Sequence, residues 1–521
     1  MSSRGPSFQV LSPLAAPEIG LARARPRLLG GGSNSTETAA PFTKYVKFNE
    51  NIVFVGFGSI GQGTLPLVLR HFDVRVSQVT IITADDRGQD IAEHYGVKFI
   101  INPLTRDNYV QVLTPYLTKG SFVVNLSVDV SSLALMELCQ TCEAFYIDTC
   151  TEPWAGEYAD PSLSASERSN YALREDVVNM KEQFRGGTTS VVTHGANPGL
   201  VSHFVKQALL NIAKDTAFPL ESEPQTRDEW AKLALDLGIK VIHVAERDTQ
   251  MAAYDFAKRP GEFVNTWSVD GFISEGCYQP AEMGWGTHEK HFPADGHVHK
   301  LDKAKGREPA SIYLDAVGGC VKVRTWTPDA GSFIGFAVTH AESISISDFL
   351  SVKDEFGNVM YRPTVHYAYH PTDYAVMSLH EMQGNDFVEQ KVKRVLKADE
   401  IVSGMDELGV LLMGHEKGAY WYGSQLSIDE ARKLAPFQNA TALQVTGPIV
   451  GAMVWAIENP KAGIVEPDEI DFKRVLEIAH PYLGNVVGRY SDWSPIKNRS
   501  AFAQGPVDKC DPWQFVNFRV F

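Results

Sequence analysis

Apolar strand candidates alternate with helical segments between residues 51 and 194, which predicts an α/β fold built on a doubly wound parallel sheet. A glycine-rich turn at residues 56–61 sits between the first such strand and the first such helix. Beyond about residue 200 the strands become irregular and aromatic-rich, with few crossover helices between them. That change predicts a second, α+β domain on a mixed or antiparallel sheet.

The first strand, 51–56, carries Ile52, Val53, Phe54 and Val55 in one run, as a strand buried on both faces does. It leads into Gly56-x-Gly58-x-x-Gly61, with Ser59 and Ile60 inside the turn, and then into a helical pattern at 62–71. In a Rossmann-type dinucleotide site the first glycine makes the tight turn and the second admits a pyrophosphate. The third lets helix and strand pack closely. The helix N-terminus adds free N–H groups and a positive dipole end for the phosphates. A second strand, 79–84, ends at Asp85 and Asp86, and Asp85 follows Gly61 by 24 residues. A carboxylate at that distance meets a ribose 2′-hydroxyl and repels a 2′-phosphate, which favours NAD over NADP. Further strands at 97–101, 121–127, 144–149 and 189–194 alternate with helices at 86–95, 105–117, 130–142 and 168–185.

Ligands of such sheets bind beyond the carboxyl ends of the strands. Those ends carry Asn125, Ser127 and Asp129, then Thr151 and Glu152, then Asn197. Asp129, Glu152 and Asn197 would line the nicotinamide end of the crevice, with Asn125, Ser127 and Thr151 on the cofactor side. The alternative is that these residues cap the helices that follow, which suits Asp129 better than Glu152.

In the second region, helices at 201–214 and 227–237 precede strands at 239–245, 263–274, 311–315, 319–326, 333–339 and 364–369. Three segments carry chemistry: Val244 to Gln250 with Glu246, Trp267 to Gly276 with Asp270 and Glu275, and Thr339 to Ser343 with His340 and Glu342. A tryptophan face attracts an ammonium by about 0.5–2 kcal/mol. Carboxylates such as Glu246 and Glu275 add charge-assisted hydrogen bonds. The competing reading makes Trp267 a core aromatic and Glu246 the surface partner of Arg247. His288, His291, His297 and His299 with Glu289 and Asp295 match no zinc spacing, so a solvated loop is expected and no metal. Helices at 429–435, 440–458 and 468–478 are expected to return to the first domain. The division is therefore 1–43 as a disordered extension, 44–200 completed by about 440–521 as the dinucleotide domain, and 201–439 as the substrate domain.

The net charge of −15 and a pI near 5.5 argue against sequence-independent nucleic-acid binding. No 18-residue apolar run indicates a membrane span. Six cysteines make no disulfide framework, so a reducing, cytoplasmic setting is the default. Cys139 and Cys142 form a CxxC inside an apolar helical pattern without a second pair, which favours two helix thiols over zinc or redox chemistry. Arg4, Arg23, Arg25 and Arg27 give the first 40 residues a weak likeness to a transit peptide, but composition favours a disordered tail or an overlong start.

The stretches FVGFGSIGQGTLPL at 54–67, NLSVDVSSL at 125–133, IDTCTEPW at 147–154, HGANPGLVSHF at 194–204, AERDTQ at 245–250, NTWSVDGFISEG at 265–276, EMGWGTHE at 282–289 and THAESISISDFL at 339–350 resemble bacterial-type homospermidine synthase, a family within the saccharopine dehydrogenase-like group. The resemblance spans roughly 45–520. It implies an aminobutyl transferase that joins two putrescines into sym-homospermidine with release of ammonia, through an imine and with tightly held NAD. Spermidine would serve as an alternative donor, releasing diaminopropane. It further implies that Trp267 supplies the cation–π face and that Glu246 and Glu275 hold amino groups. Asp129 and Asn197 match positions at the nicotinamide end, Glu152 matches a pocket acid and His340 a pocket histidine. A cytoplasmic homodimer is expected. Asp129, Glu152 and His340 are the candidates for taking a proton from an amine that ordinarily titrates near 10. One rival, another saccharopine dehydrogenase-like enzyme such as a carboxy(nor)spermidine synthase, would need arginines to clamp a carboxylate, and the pocket segments carry only Arg247. The other rival, a non-catalytic NAD-binding regulator, would need none of Trp267, Glu246, Glu275 or Asn197.

Overall fold

The computed structural model describes residues 42–299 and 310–521, so the expected extension lies, but for its last two residues, outside the described range. Seven strands form the first sheet, in the order Lys98–Ile101, Val79–Thr83, Ile52–Val55, Phe122–Asn125, Phe145–Asp148, Ser190–Val191 and Ile464–Val465. All neighbours run parallel. The strand order reverses between Ile52–Val55 and Phe122–Asn125, which opens the crevice at their carboxyl ends. Both of these strands are wholly buried, as their unbroken apolar runs require, whereas the edge strand Lys98–Ile101 is partly exposed.

The second sheet contains eleven strands among the described residues. At its centre Thr364–His370 lies parallel to Val241–Asp248, and Met405–Met413 lies antiparallel on the other side. The register sets Tyr369 beside Glu246, Leu408 opposite Glu246, and Asp406 opposite Asp248. Because side chains alternate along a strand, Val244, Glu246, Asp248, Tyr367, Tyr369, Asp406 and Leu408 share one face. The helix Leu200–Asp215 covers the apolar part of that face: Leu200, Val201, Phe204 and Ala208 share one core with Val244, Tyr367, Leu408 and Val410. The polar residues at the end of the face are left to line a site.

Several elements differ from expectation, the largest being the strands Met405–Met413 and Ala419–Ser427, which fall where no strand was expected. The strand expected over 263–274 stops at Asn265, and a helix, Val269–Ile273, continues as a single π-helical turn, Ser274–Tyr278. Ser268 causes the switch: its side chain accepts the N–H of Gly271 at 3.0 Å and caps the helix. The expected strand 189–194 is paired only at Ser190–Val191. The C-terminal segment serves both sheets. Ile464–Val465 extends the parallel one, while Asn485–Ser491 pairs with Ala419–Ser427 and Arg519–Val520 with Lys322–Thr327. Strands added late in the chain thus cover edges that would otherwise present unpaired backbone.

The helix Ala440–Glu458 ties the two sheets together. Among the described residues it is the one helix long and apolar enough to cross a membrane, and its apolar stretch is buried within the fold. Gln438, just before its N-cap, donates to the carbonyl of Gly63 at 2.8 Å, in the helix after the glycine turn. Asn439 caps it at Ala442, and the N–H of Ala440 donates to Gln250 at the end of Val241–Asp248.

Candidate active site

On the dinucleotide side the glycines divide as their positions require. Gly56 has φ +81°, and a Cβ there would lie 2.7 Å from the Ser127 Cα, so its neighbour is backbone that cannot move aside. A Cβ on Gly61 would meet Phe57 at 3.0 Å and the carbonyl of Gly56 at 3.1 Å. A Cβ on Gly58 would meet nothing within 4 Å: this glycine faces open space at the N-terminus of the helix Ser59–His71. No side chain caps that terminus and no acid stands in its first turn, so the N–H groups at Ser59 and Ile60 stay available to an anion. These residues fit a dinucleotide pyrophosphate.

Asp85 is partly buried just past the end of Val79–Thr83, and Arg87 binds it through both its backbone N–H (3.0 Å) and its Nε (2.8 Å). The Arg87 hydrogen bond holds the Asp85 carboxyl below its ordinary range. Asn125 is buried and braces Ser127, accepting its hydroxyl at 2.6 Å while donating to Tyr146 at 3.0 Å. Thr151 is buried, and its carbonyl accepts the Tyr158 hydroxyl. Asp129 does not cap a helix. Ser131 caps Ser132–Thr141, and Asp129 stands before it with φ +64°. Its backbone N–H donates to Glu152 at 3.3 Å. Asp129 is exposed; the partial desolvation it does undergo, then the charge of Asp270, pushes its carboxyl up, opposed by Lys393.

Glu152 is almost wholly buried and accepts the Cys150 thiol at 3.2 Å. Burial raises its carboxyl from 4.5 to about 8, with the nearby Glu275 and Asp129 contributing. Glu275, in the turn after Val269–Ile273, reaches His340 Nε2 at 3.0 Å. The other ring nitrogen of His340 lies 3.2 Å from Glu342. Burial opposes charge on the ring, but carboxylates at both nitrogens raise its pKa well above 6.5 and hold it as an imidazolium. His340 also packs on the ring of Tyr367, with centroids 4.4 Å apart.

Glu246 is buried inside the strand Val241–Asp248 and is not the partner of Arg247, which pairs instead with Asp373. Its Oε2 accepts Asn197 Nδ2 at 2.6 Å and the Tyr367 hydroxyl at 2.5 Å. Burial lifts its carboxyl to about 7 against these two donors. Trp267 is only partly buried and donates Nε1–H to the Tyr369 hydroxyl at 3.0 Å. Tyr367 and Tyr369 stack in parallel at 5.0 Å, so the tryptophan, the two tyrosines and Glu246 form one continuous wall.

The structure therefore brings Asn197, Glu246, Glu275, Glu152, Asp129 and His340 into one linked set, while Asp85 stands apart on the surface. Sequence reasoning missed Tyr367, Tyr369 and Asp406. The alternation in Tyr367-Ala368-Tyr369 was the available signal, since it puts both rings on one face of a strand. The four histidines of residues 288–299 each have their own partner: Trp513, Asp508, Asp315 and Glu282. His299 is buried against Glu282 rather than solvated, and no three metal-ligating side chains converge among the described residues.

Residues 52–191 match the saccharopine dehydrogenase NADP binding domain and residues 195–491 the saccharopine dehydrogenase C-terminal domain. A homospermidine synthase from Blastochloris viridis is 55% identical over 91% of this chain and 98% of its own. The chain belongs to the homospermidine synthase family. A second member, from Mesorhizobium japonicum, is 50% identical over 91% of this chain and 97% of its own. The crystal structure of the homospermidine synthase from Legionella pneumophila in complex with NAD superposes with a TM-score of 0.85 at 48% identity, covering 92% of this chain and 99% of that one. The family-domain description names NADP, whereas this homospermidine synthase structure holds NAD, which agrees with the carboxylate at Asp85.

Proposed function

We propose that this protein joins two putrescines, or an aminobutyl group from spermidine and a putrescine, into sym-homospermidine, releasing ammonia or diaminopropane. The observation that carries the reading is a wall of buried acids and aromatic faces beside the dinucleotide crevice, with Arg247, the one arginine in the pocket segments, turned to Asp373. An amine substrate fits such a wall, and a carboxylated one does not. NAD, when bound, supplies a hydride acceptor that becomes the donor within one turnover.

The residues of the chain have three tasks in this reading. Glu246 and Glu275 hold ammonium groups, with Trp267 presenting its face between them. Asn197 and Tyr367 fix the Glu246 carboxylate. Glu152 takes the proton from the amine that is to become an imine, because His340 is already held as an imidazolium and has no free nitrogen. His340 then keeps Glu275 oriented while Asp129 lines the nicotinamide end. A buried site keeps water from the imine. We place the dinucleotide in residues 44–200 with the helix Ala440–Glu458, and the amines in 201–439. We further propose a homodimer, which light scattering on the purified protein tests.

The deciding experiment incubates the purified protein with putrescine and NAD⁺ and follows homospermidine and ammonia by mass spectrometry. Both products at equal amounts, without net NADH, are expected. Their absence from NAD-loaded protein sinks the reading.

A further inference from the structure

Beneath Glu246 lies a second layer of carboxylates that the reaction above does not use. Asp248 and Asp406 face each other across the ladder and are both fully buried. Asp248 is saturated with donors. Its Oδ1 accepts the backbone N–H of Gln250 at 2.8 Å and Gln250 Nε2 at 3.1 Å, and its Oδ2 accepts the Thr266 hydroxyl at 2.7 Å. Asp406 is not. Its Oδ2 has the Thr441 hydroxyl at 2.7 Å, but Oδ1 is buried with no donor at all.

Thr441 has one hydroxyl proton. Its oxygen lies 3.1 Å from Asp248 and 2.7 Å from Asp406, and it also accepts Gln250 Nε2 at 3.0 Å. Asp248 needs nothing further, so the proton goes to Asp406 Oδ2. A bare Oδ1 on an ionised Asp406, set between the carboxylates of Asp248 and Glu246, would leave a third buried negative charge almost without hydrogen bonds. A proton on Oδ1 removes that charge and makes the oxygen a donor, and the acceptor within its reach is Glu246. The two side chains sit diagonally on one face of the sheet, a separation of about 7–8 Å between backbones that these side chains span.

We propose that Asp406 is an uncharged carboxylic acid whose O–H is donated to Glu246, making it the positioning residue that keeps Glu246 an oriented, ionised anchor for an amine. Burial and then the charges of Glu246 and Asp248 push the Asp406 carboxyl well above its usual range, in keeping with this assignment. The donor count also assigns Thr441 and the N-terminus of Ala440–Glu458 a role: they hold Asp406 from below, so the helix that contacts the glycine-turn helix also props the amine site. The role given to Glu246 rests on the polyamine reading; the protonation of Asp406 does not.

The test uses the intact NAD-bound protein and two variants. Infrared spectra in H₂O and D₂O, taken without polyamine, are expected to show a deuterium-sensitive C=O stretch of a buried carboxylic acid that Asp406→Asn lacks. Asp406→Ala is expected to raise the KM for putrescine about 10- to 100-fold, the worth of a hydrogen bond to a charged group, with kcat less affected. Asp406→Asn is expected to recover most of that loss, because an amide N–H replaces the acid O–H. Failure to see the band, an Asp406→Asn as impaired as Asp406→Ala, or an Asp406→Ala with native KM each overturns the proposal. If Asp406→Ala does not fold, the band and the Asp406→Asn kinetics still decide it. A band present in a protein that makes no homospermidine would leave Asp406 assigned and the polyamine reading refuted.

Discussion

The two halves of the site are built in opposite ways. The dinucleotide half comes from one contiguous stretch, 52–61, plus the following strand, and its key groups are backbone: the open space at Gly58 and the uncapped N–H groups of Ser59–His71. The proposed amine half draws Asn197, Glu246, Glu275, His340 and Tyr367 from five separate segments, and its key groups are side chains: Glu246 and His340 buried, Glu275 partly so. The first half needs little but steric permission. The second needs a scaffold that offsets the cost of burying several carboxylates with hydrogen bonds and an imidazolium.

Substitutions can break this contrast, and the largest effect belongs to the amine half. Glu246→Ala removes a buried charge already bonded to Asn197 and Tyr367, and should lower kcat/KM for putrescine by about 10²–10³-fold, in line with about 2–5 kcal/mol for truncating such a partner. Equilibrium NAD binding, measured by fluorescence titration, should stay native. A parallel loss of NAD affinity would mean that the halves are not separable. Trp267→Ala comes next, with a loss of about 30-fold if its face contributes about 2 kcal/mol to a desolvated ammonium. Trp267→Phe should keep most of the activity, since it retains a π face, and equal losses would count against cation–π binding.

Proton uptake adds a pH signature to the same half. Burial raises the Glu152 carboxyl to about 8 and that of Glu246 to about 7. A carboxylate that accepts a proton must be ionised, so kcat/KM should climb as pH rises through about 7 to 8, and Glu152→Gln should abolish turnover at every pH. The stability sign is the reverse. Both folded-state values lie above the ordinary 4.5, so folding favours the protonated forms. Their stabilising contribution is complete below about 4.5 and is lost as pH rises to about 8. The thermal midpoint of the protein without polyamine should therefore fall across that window, less so in Glu152→Gln. A Glu152→Gln protein that still turns over, with kcat/KM rising with pH as in the native protein, would move the proton acceptor to Asp129.

The dinucleotide half should respond more mildly and without loss of fold. Gly58→Ala places a methyl in open space, so the thermal midpoint of the NAD-free protein should be native while the Kd for NAD rises about tenfold. Gly56→Ala, with φ +81° and backbone 2.7 Å away, should instead destabilise the protein itself. The smallest effect is expected at Asp85, partly exposed and screened by solvent. Asp85→Ser frees Arg87, and NADP affinity should rise relative to NAD by a few-fold, more at low salt.

Much of this was legible before any coordinates. Period-3.6 and continuous apolar runs placed six of the seven first-sheet strands and the helix Ala440–Glu458 to within a few residues, because buried parallel strands and core helices leave their pattern in neighbouring positions; the two-residue strand Ile464–Val465 is too short to leave one. The Gly-x-Gly-x-x-Gly turn, its strand and its helix are likewise local. The strand expected over 263–274 failed for an equally local reason that hydrophobicity conceals: Ser268 caps a helix inside an apolar run. By contrast, the pairing of Glu246 with Asn197 spans 49 residues and that of Glu275 with His340 spans 65, and no spacing rule reaches across such gaps.

The chain by itself determined the glycine turn with its strand and helix, and the residue types proposed to meet an amine, since backbone turns, helix N-termini and side-chain chemistry are properties of short segments. Only the tertiary structure decided their charges. Whether Glu246 is a surface ion-pair partner or a buried anchor, whether His340 is a base or an imidazolium, and whether Asp406 is an ion or an acid depend on desolvation and on donors supplied from strands far apart in sequence. Those quantities come into being when the second sheet closes over the helix Leu200–Asp215, and they have no counterpart in the linear chain.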